Sequence, residues 1–268
     1  MEGTRMVLLL ALAYAGMATA QDKVTVPLSS PSQPATIRAR LIFGNITVKA
    51  GSGPEVVVTS TPHVRSGGGR DNPPPGMHRL DTGDSGLNIE EDHNTVTIGS
   101  MRPDRSGDLE IQVPVNTSVQ LRTISGGNID VSGINGELDV ENMNGGIMLT
   151  DISGSVMAHT LNGTINAIID KVAPDKPMSF TSLNGRIDVT LPADTKARLR
   201  LKTDNGEIYT DFDVKMEADG AKPVVEDARG QGGKYHIRVN RGVSGSINGG
   251  GPEYVFQTFN GSIYIHRR

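Results

Sequence analysis

The chain has 268 residues, with 33 Gly, 15 Pro, no Cys and no Trp, and a formal charge of −4 at a pI near 5.9. Without cysteine there is no disulfide, thiolate metal site, lipid-modified N-terminal cysteine or cysteine nucleophile. The mildly acidic balance leaves no basic footprint for nucleic acid.

The N-terminus sets the cellular address. Arg5, an apolar run from Met6 to Ala15 and the closing Ala18-Thr19-Ala20 give the three-part layout of a secretory signal peptide, too short for a membrane span. The expectation is export, with a mature chain starting at Gln21. No later run of about twenty apolar residues follows, so no transmembrane anchor is predicted. Short alternating apolar stretches then predict strands over 23–28, 36–42, 45–49, 55–60, 86–90, 95–99 and 108–113. A Gly/Pro-rich loop over 61–86 interrupts them.

A repeat follows. The motif apolar-[Asn/Ser]-Gly-x-[Ile/Leu/Val] begins at Ile134, Met143, Ile152 and Leu161, in steps of nine, and again at Leu183, Val243 and Phe259. Asp204-Asn205-Gly206 and Ile124-Ser125-Gly126-Gly127 are variants, and Phe43-Gly44-Asn45-Ile46 is a degenerate early copy. Apolar residues fall at offsets 0, +4 and +6: Ile134, Leu138, Val140; Met143, Ile147, Leu149; Ile152, Val156, Ala158; Leu161, Ile165, Ala167.

Asn-Gly between apolar runs is a hairpin signal. A two-residue hairpin, however, would put Met143 on the opposite sheet face from Ile147 and Leu149. Asn/Ser-Gly corners, turning the chain so that all three point into one narrow core, remove the conflict. The reading is therefore an all-β fold, a β-solenoid or β-roll (parallel β-helix-like), with two nine-residue units per turn and three left open. Gly at φ > 0 and αL-tolerant Asn account for the corner residues, and stacked corners allow Asn and Ser side chains to ladder.

Farther on, 196–203 alternates with Ala197, Leu199 and Leu201 inward, 214–233 is a polar surface insertion, and strands return near 235–239, 254–257 and 262–266. The domain reading is a signal peptide over 1–20, an N-terminal β region over 21–115 with the loop 61–86, and a β-solenoid domain over 116–268 with the insertion 214–233.

No residue qualifies as catalytic, cofactor-binding or metal-ligating. Asp81-Thr82-Gly83 matches an aspartic protease core, but that mechanism needs two such loops sharing a proton and only one copy is present. The six histidines show no ligand spacing, and Glu90, Glu91, Asp92 and His93 read as a solvated turn. Outward offset +5 carries Asp139, Met148, Met157, Asn166 and Asp188, with Asp130 in the matching variant slot. With two units per turn, Asp130 and Asp139 face opposite sides and form no pair. Met148 and Met157, apolar at outward positions, hint at a contact surface or a covering loop. Lys196, Arg198, Arg200 and Lys202 form a basic stripe, read as solvated strand surface.

The ordered string from Leu109-Glu-Ile-Gln-Val-Pro through the repeat, then Leu183-Asn-Gly-Arg-Ile with its Leu191-Pro exit, and finally Phe259-Asn-Gly-Ser-Ile, resembles the bacterial "putative adhesin" domain family, a domain of unknown function similar to GIN-type adhesin-head domains. The resemblance covers about 108–212 and resumes near 243–265. It implies a right-handed β-solenoid-like, exported, envelope-associated domain, and brings no binding or catalytic residues. The functional expectation is a non-enzymatic adhesin-like binding or structural module of the cell envelope, periplasmic, surface-bound or secreted, with an envelope polymer, a glycan or a membrane protein as partner. The alternatives are an envelope-stress accessory or sensor acting with a membrane partner and, more remotely, a polysaccharide-active β-helix enzyme.

Overall fold

The computed structural model describes residues 22–63, 87–100, 106–217, 224–227, 235–238 and 242–268. Among these the protein is all-β, and no helix is long and apolar enough to cross a membrane. The signal peptide, residues 64–86 of the Gly/Pro-rich loop and parts of the insertion 214–233 lie outside the described residues.

The first strands are β1 (Asp22–Val26), β2 (Ala35–Phe43), β3 (Ile46–Ala50), β4 (Val56–His63), β5 (Leu87–Asp92), β6 (Thr95–Ser100) and β7 (Ser106–Val113). The repeat supplies β8 (Thr117–Ser125), β9 (Ile129–Ser132), β10 (Asn135–Asn144), β11 (Ile147–Asn162), β12 (Ile165–Val172), β13 (Met178–Asn184), β14 (Ile187–Leu191), β15 (Ala197–Asn205) and β16 (Ile208–Thr210). After these come β17 (Lys215–Met216), β18 (Val224–Asp227), β19 (Tyr235–Arg238), β20 (Gly242–Ile247), β21 (Glu253–Asn260) and β22 (Ile263–Arg267). Thus β4 runs into the first residues of the loop placed over 61–86, and β17 and β18 fall within the insertion. β18 pairs only with β19, as a separate antiparallel hairpin.

Strand pairing sorts the rest into two tracks. The first runs β5, β6, β2, β8, β10, the second half of β11, β13, β21, β15, β20 and β17; the second runs β1, β4, β7, β3, β9, the first half of β11, β12, β14, β22 and β16. Interior neighbours are parallel, and antiparallel strands finish both ends of the first track and one end of the second. Asn144 pairs with Asn162, so adjacent strands there are offset by 18 residues, or two nine-residue units. One turn comprises a first-track strand, an Asn-Gly corner and a second-track strand. Strands on both sides of the 115/116 boundary stack together, β2 on β8 and β3 on β9.

The core lies between the tracks and is built from columns of like residues. Ile46, Ile129, Ile147, Ile165, Ile187 and Ile263, each the first core residue after a corner, are stacked and fully buried. Opposite them stand Ile37, Val119, Leu138, Val156, Met178, Tyr254 and Leu199. Phe180 and Phe256 stack at 5.2 Å within the first track. Ala197, Leu199 and Leu201 point inward, and offsets +4 and +6 of the four nine-step copies are buried throughout.

Offset 0 behaves otherwise. Ile134 and Ile152 are buried, but Met143, Leu183 and Phe259 are 41%, 42% and 47% exposed, and Leu161 is half-buried. The expectation that every unit directs three apolar residues inward is corrected here. Successive units end at different corners. On β10, alternation puts Leu138, Val140 and Asn142 inside, which leaves Met143 outside before the chain turns at Asn144-Gly145. The opposite corner, at Asp151 with φ +54, turns Ile152 inward. The motif copy at Val243 is not a corner at all: it lies within β20, antiparallel to β15.

The corner glycine has a second cause besides the positive φ expected. Gly145 and Gly261 are at φ +155 and +150, but Gly163, Gly185 and Gly206 lie outside the left-handed region. What they share is crowding: a Cβ on Gly163 would sit 2.0 Å from the carbonyl oxygen of Gly145 in the adjacent turn. Each turn rests on the carbonyl of its neighbour, and no side chain larger than hydrogen fits. The one two-residue hairpin turn joining β5 to β6 is His93-Asn94, both at positive φ, as type I′ requires.

Candidate functional site

The Asn-Gly corner carries two ladders. Inside, Thr123, Asn142, Thr160, Ser182, Thr258 and Thr203 form a buried polar column. Thr160, Ser182 and Thr258 donate to the carbonyls of Gly145, Gly163 and Gly185 at 3.0 Å, Thr203 to that of Gly261 at 2.8 Å, and the Asn142 amide to that of Gly127 at 2.8 Å. These bonds satisfy carbonyls that the turning backbone leaves without a strand partner. Outside, Asn144, Asn162, Asn184, Asn260 and Asn205 form an amide ladder, each Nδ2 after the first donating to the preceding Oδ1 at 2.6–2.9 Å. The laddering expected from the sequence is present.

Beside the amides runs an apolar ridge. Register places Ile42, Ile124, Met143, Leu161, Leu183 and Phe259 on consecutive strands. Six residues at the strand spacing extend about 24 Å. The ridge carries no charge until Asp204, next to Phe259 on β15. Sequence reasoning assigned Met143 and Leu161 to the core and so missed this surface. The signal that could have found it is the polar residue just before each one: Asn142, Thr160, Ser182 and Thr258 occupy the inward slot instead.

The outward methionines are as expected, Met148 at 50% and Met157 at 56% exposed. They stand on opposite tracks. Asp130 and Asp139 also lie on opposite tracks, on β9 and β10. Asp130 instead faces Glu110 across Thr47, on the strands either side of β3, about 10 Å apart at Cα. With Asn45, Thr61, Asp108, Leu109 and Asn128 these residues line a polar cleft of about 380 Å³. Burial raises the Asp130 carboxyl above its ordinary value, partly offset by Lys49, which itself pairs with Glu110 at 3.3 Å.

On the second track, Tyr209 and Tyr264 stack at 5.0 Å with the Arg186 guanidinium 5.5 Å from the Tyr264 ring. Asp188 pairs with Arg186 at 3.6 Å and with His266 at 3.3 Å. The basic stripe is partly neutralised, Arg198 by Glu217 at 3.1 Å and Lys202 by Asp204 at 3.9 Å, and β15 has partners on both sides. In the acidic run, Glu91 accepts hydrogen bonds from Ser29 and from the Asn94 backbone, which lower its pKa and brace the β5–β6 turn. Asp81-Thr82-Gly83 and His78 lie outside the described residues. Among the described residues no group of three His, Asp or Glu is arranged to hold a metal.

The profile of the Toastrack DUF4097 family matches residues 23–248, most of the chain and four of the five ladder asparagines. The chain belongs to that family. No curated protein matches it. Among solved structures, this Toastrack DUF4097 chain is similar to a "putative cell adhesion protein" from Clostridium sporogenes ATCC 15579, at 13% identity, covering 93% of this chain and 99% of that one with a TM-score of 0.41. It is also similar to a "putative adhesin" from Bacteroides fragilis NCTC 9343, at 9% identity, covering 94% and 98% with a TM-score of 0.37.

Proposed function

We propose that this Toastrack chain is a β-solenoid binding module of the cell envelope, exported by its signal peptide and non-enzymatic, that holds a glycan strand along the Asn-Gly corner. The observation that carries the reading is the uncharged ridge of Ile42, Ile124, Met143, Leu161, Leu183 and Phe259 beside the amide ladder. A glycan offers the matching chemistry. Its C–H faces cover apolar side chains, and its hydroxyls exchange hydrogen bonds with neutral amides without the desolvation cost of a charge. A contiguous apolar line in an exposed position marks a contact surface more often than scattered apolar residues do.

The test is a pull-down of the mature protein on isolated envelope glycans and a glycan array, with a Met143→Glu/Leu183→Glu/Phe259→Glu variant alongside. All three side chains are exposed, so the variant keeps the wild-type circular dichroism and loses binding. Undiminished binding by a folded variant, or no binding by the wild type to any polymer, refutes the reading. Fractionation with and without residues 1–20 tests export.

One observation favours a second reading. Asp130 and Glu110 flank a polar cleft, and one has a raised pKa, the asymmetry that glycosidic acid–base pairs use. Release of reducing ends from envelope glycan by the wild type, abolished in Asp130→Asn, would establish cleavage over simple binding.

A further inference from the structure

Five copies of Asn-Gly sit in the amide ladder, each with Ile two residues past the glycine and each with Asn at the end of a strand, yet their surroundings differ at one end. Asn-Gly is the dipeptide most open to spontaneous deamidation. The glycine backbone nitrogen attacks the asparagine Cγ, ammonia leaves, and the resulting succinimide takes up water to give aspartate or isoaspartate. The reaction needs a free glycine N–H and an amide side chain that can rotate toward it.

The ladder removes both freedoms from four copies. The N–H groups of Gly145, Gly163, Gly185 and Gly261 donate to the carbonyls of Asn162, Asn184, Asn260 and Asn205, at 2.9–3.0 Å. The side chains of Asn144, Asn162, Asn184 and Asn260 are each held from two sides, by one bond donated and one accepted. Asn205 is the last rung among the described residues. Its Nδ2 donates to Asn260 at 2.8 Å, but among the described residues nothing donates to its Oδ1 and nothing accepts from the N–H of Gly206. Asn205 is exposed. Two exposed Asn-Gly pairs lie off the ladder: the Asn248 amide donates to the carbonyls of both Ala193 and Thr195, and Asn135-Gly136 is held inside β10, with Gly136 paired to Gly154 of β11 and the Asn135 amide donating to Asn116 at 2.9 Å.

We propose that Asn205 is the deamidation site of this protein, a hydrolytic modification directed to the open end of the ladder and withheld from the four rungs behind it. The product places a carboxylate between Asp204 and Glu207 and replaces the amide donor to Asn260, so the modified end rung meets its neighbour acceptor to acceptor. Damage thus begins at the terminal turn and exposes the next rung only after the first has loosened.

The experiment is to age the folded protein in mildly alkaline buffer at physiological temperature and to quantify each Asn-Gly peptide by mass spectrometry, with isoaspartate confirmed by enzymatic methyl transfer. A parallel sample is aged in urea. The expected result is conversion at Asn205 about tenfold or more faster than at Asn144, Asn162, Asn184 or Asn260 in the folded protein, the factor that one or two retained hydrogen bonds impose on opening. In urea the five rates converge. Asn205→Gln, which keeps the amide donor, removes the fast event and leaves the melting temperature unchanged. Equal folded rates at the five rungs, or the same Asn205 lead in urea, would overturn the proposal.

Discussion

Thr160→Val tests the corner against intuition drawn from composition. The substitution keeps side-chain shape and adds apolar surface at a fully buried position, which in an ordinary strand would stabilise. Here the Thr160 hydroxyl donates to the Gly145 carbonyl at 3.0 Å, and among the described residues no other donor reaches that oxygen. A buried carbonyl left without a partner costs about 1–3 kcal/mol. For a domain of this size that is a fall of about 3–10 °C in melting temperature. Thr160→Ser keeps the hydroxyl, as Ser182 does in the adjacent turn, and loses only a methyl group. Met143→Ser removes an apolar side chain that stands on the exposed side of the corner and should change stability by less than the Thr160→Val substitution does. Thermal melts followed by far-ultraviolet circular dichroism separate the three. If Thr160→Val melts at or above the wild type while Met143→Ser melts well below it, Met143 and not Thr160 lies on the inside of the corner, and the reasoning is refuted.

Other expectations follow from the same geometry. Gly163→Ala forces a Cβ to within 2.0 Å of the Gly145 oxygen and should cost about 3 kcal/mol or more, since backbone must move in two turns; a melt reads this directly. Ile147→Asp or Ile165→Asp puts a charge into the isoleucine column and should abolish the folded state, whereas Asp139→Ala, on an outward position, should leave the melt unchanged. Asp130 has a folded pKa above its ordinary 3.8 because of burial. The native state therefore holds more protons than the unfolded one just above that value, and stability falls as pH rises through the window. Asp130→Asn should raise the melting temperature at neutral pH and make no difference in acid below the ordinary aspartate range; the opposite dependence would mean that Lys49 dominates the site.

The sequence made the strands legible because alternation is a two-residue property that each strand carries in itself. Offsets +4 and +6 and the run Ala197, Leu199, Leu201 were readable for that reason. Offset 0 was not, because a nine-residue period laid on an eighteen-residue turn sends one motif to two unlike corners. Met143 and Ile152 look equivalent in the chain and end on opposite sides of the wall. The inward Thr and Asn residues were hidden by their polarity, since the glycine carbonyl that holds each one belongs to another turn. The cleft between Glu110 and Asp130 was hidden by distance: its two strands, β7 and β9, are neighbours of β3, which lies about sixty residues before one and eighty before the other. Nothing in the intervals from Leu161 to Leu183 and on to Asp204 indicates which turn stacks on which.

That stacking order has a consequence for how the molecule is completed. β21 lies between β13 and β15, and β22 between β14 and β16, so the turn made last in the chain is the next-to-last along the axis. Repeat proteins built in sequence order add each unit to a finished neighbour and tolerate stepwise fraying. Among the described residues the parallel neighbours of β15 and β16 are β21 and β22, supplied by residues 253–267. That segment is the keystone of the stack, and removing it would detach the β15–β16 turn along with itself.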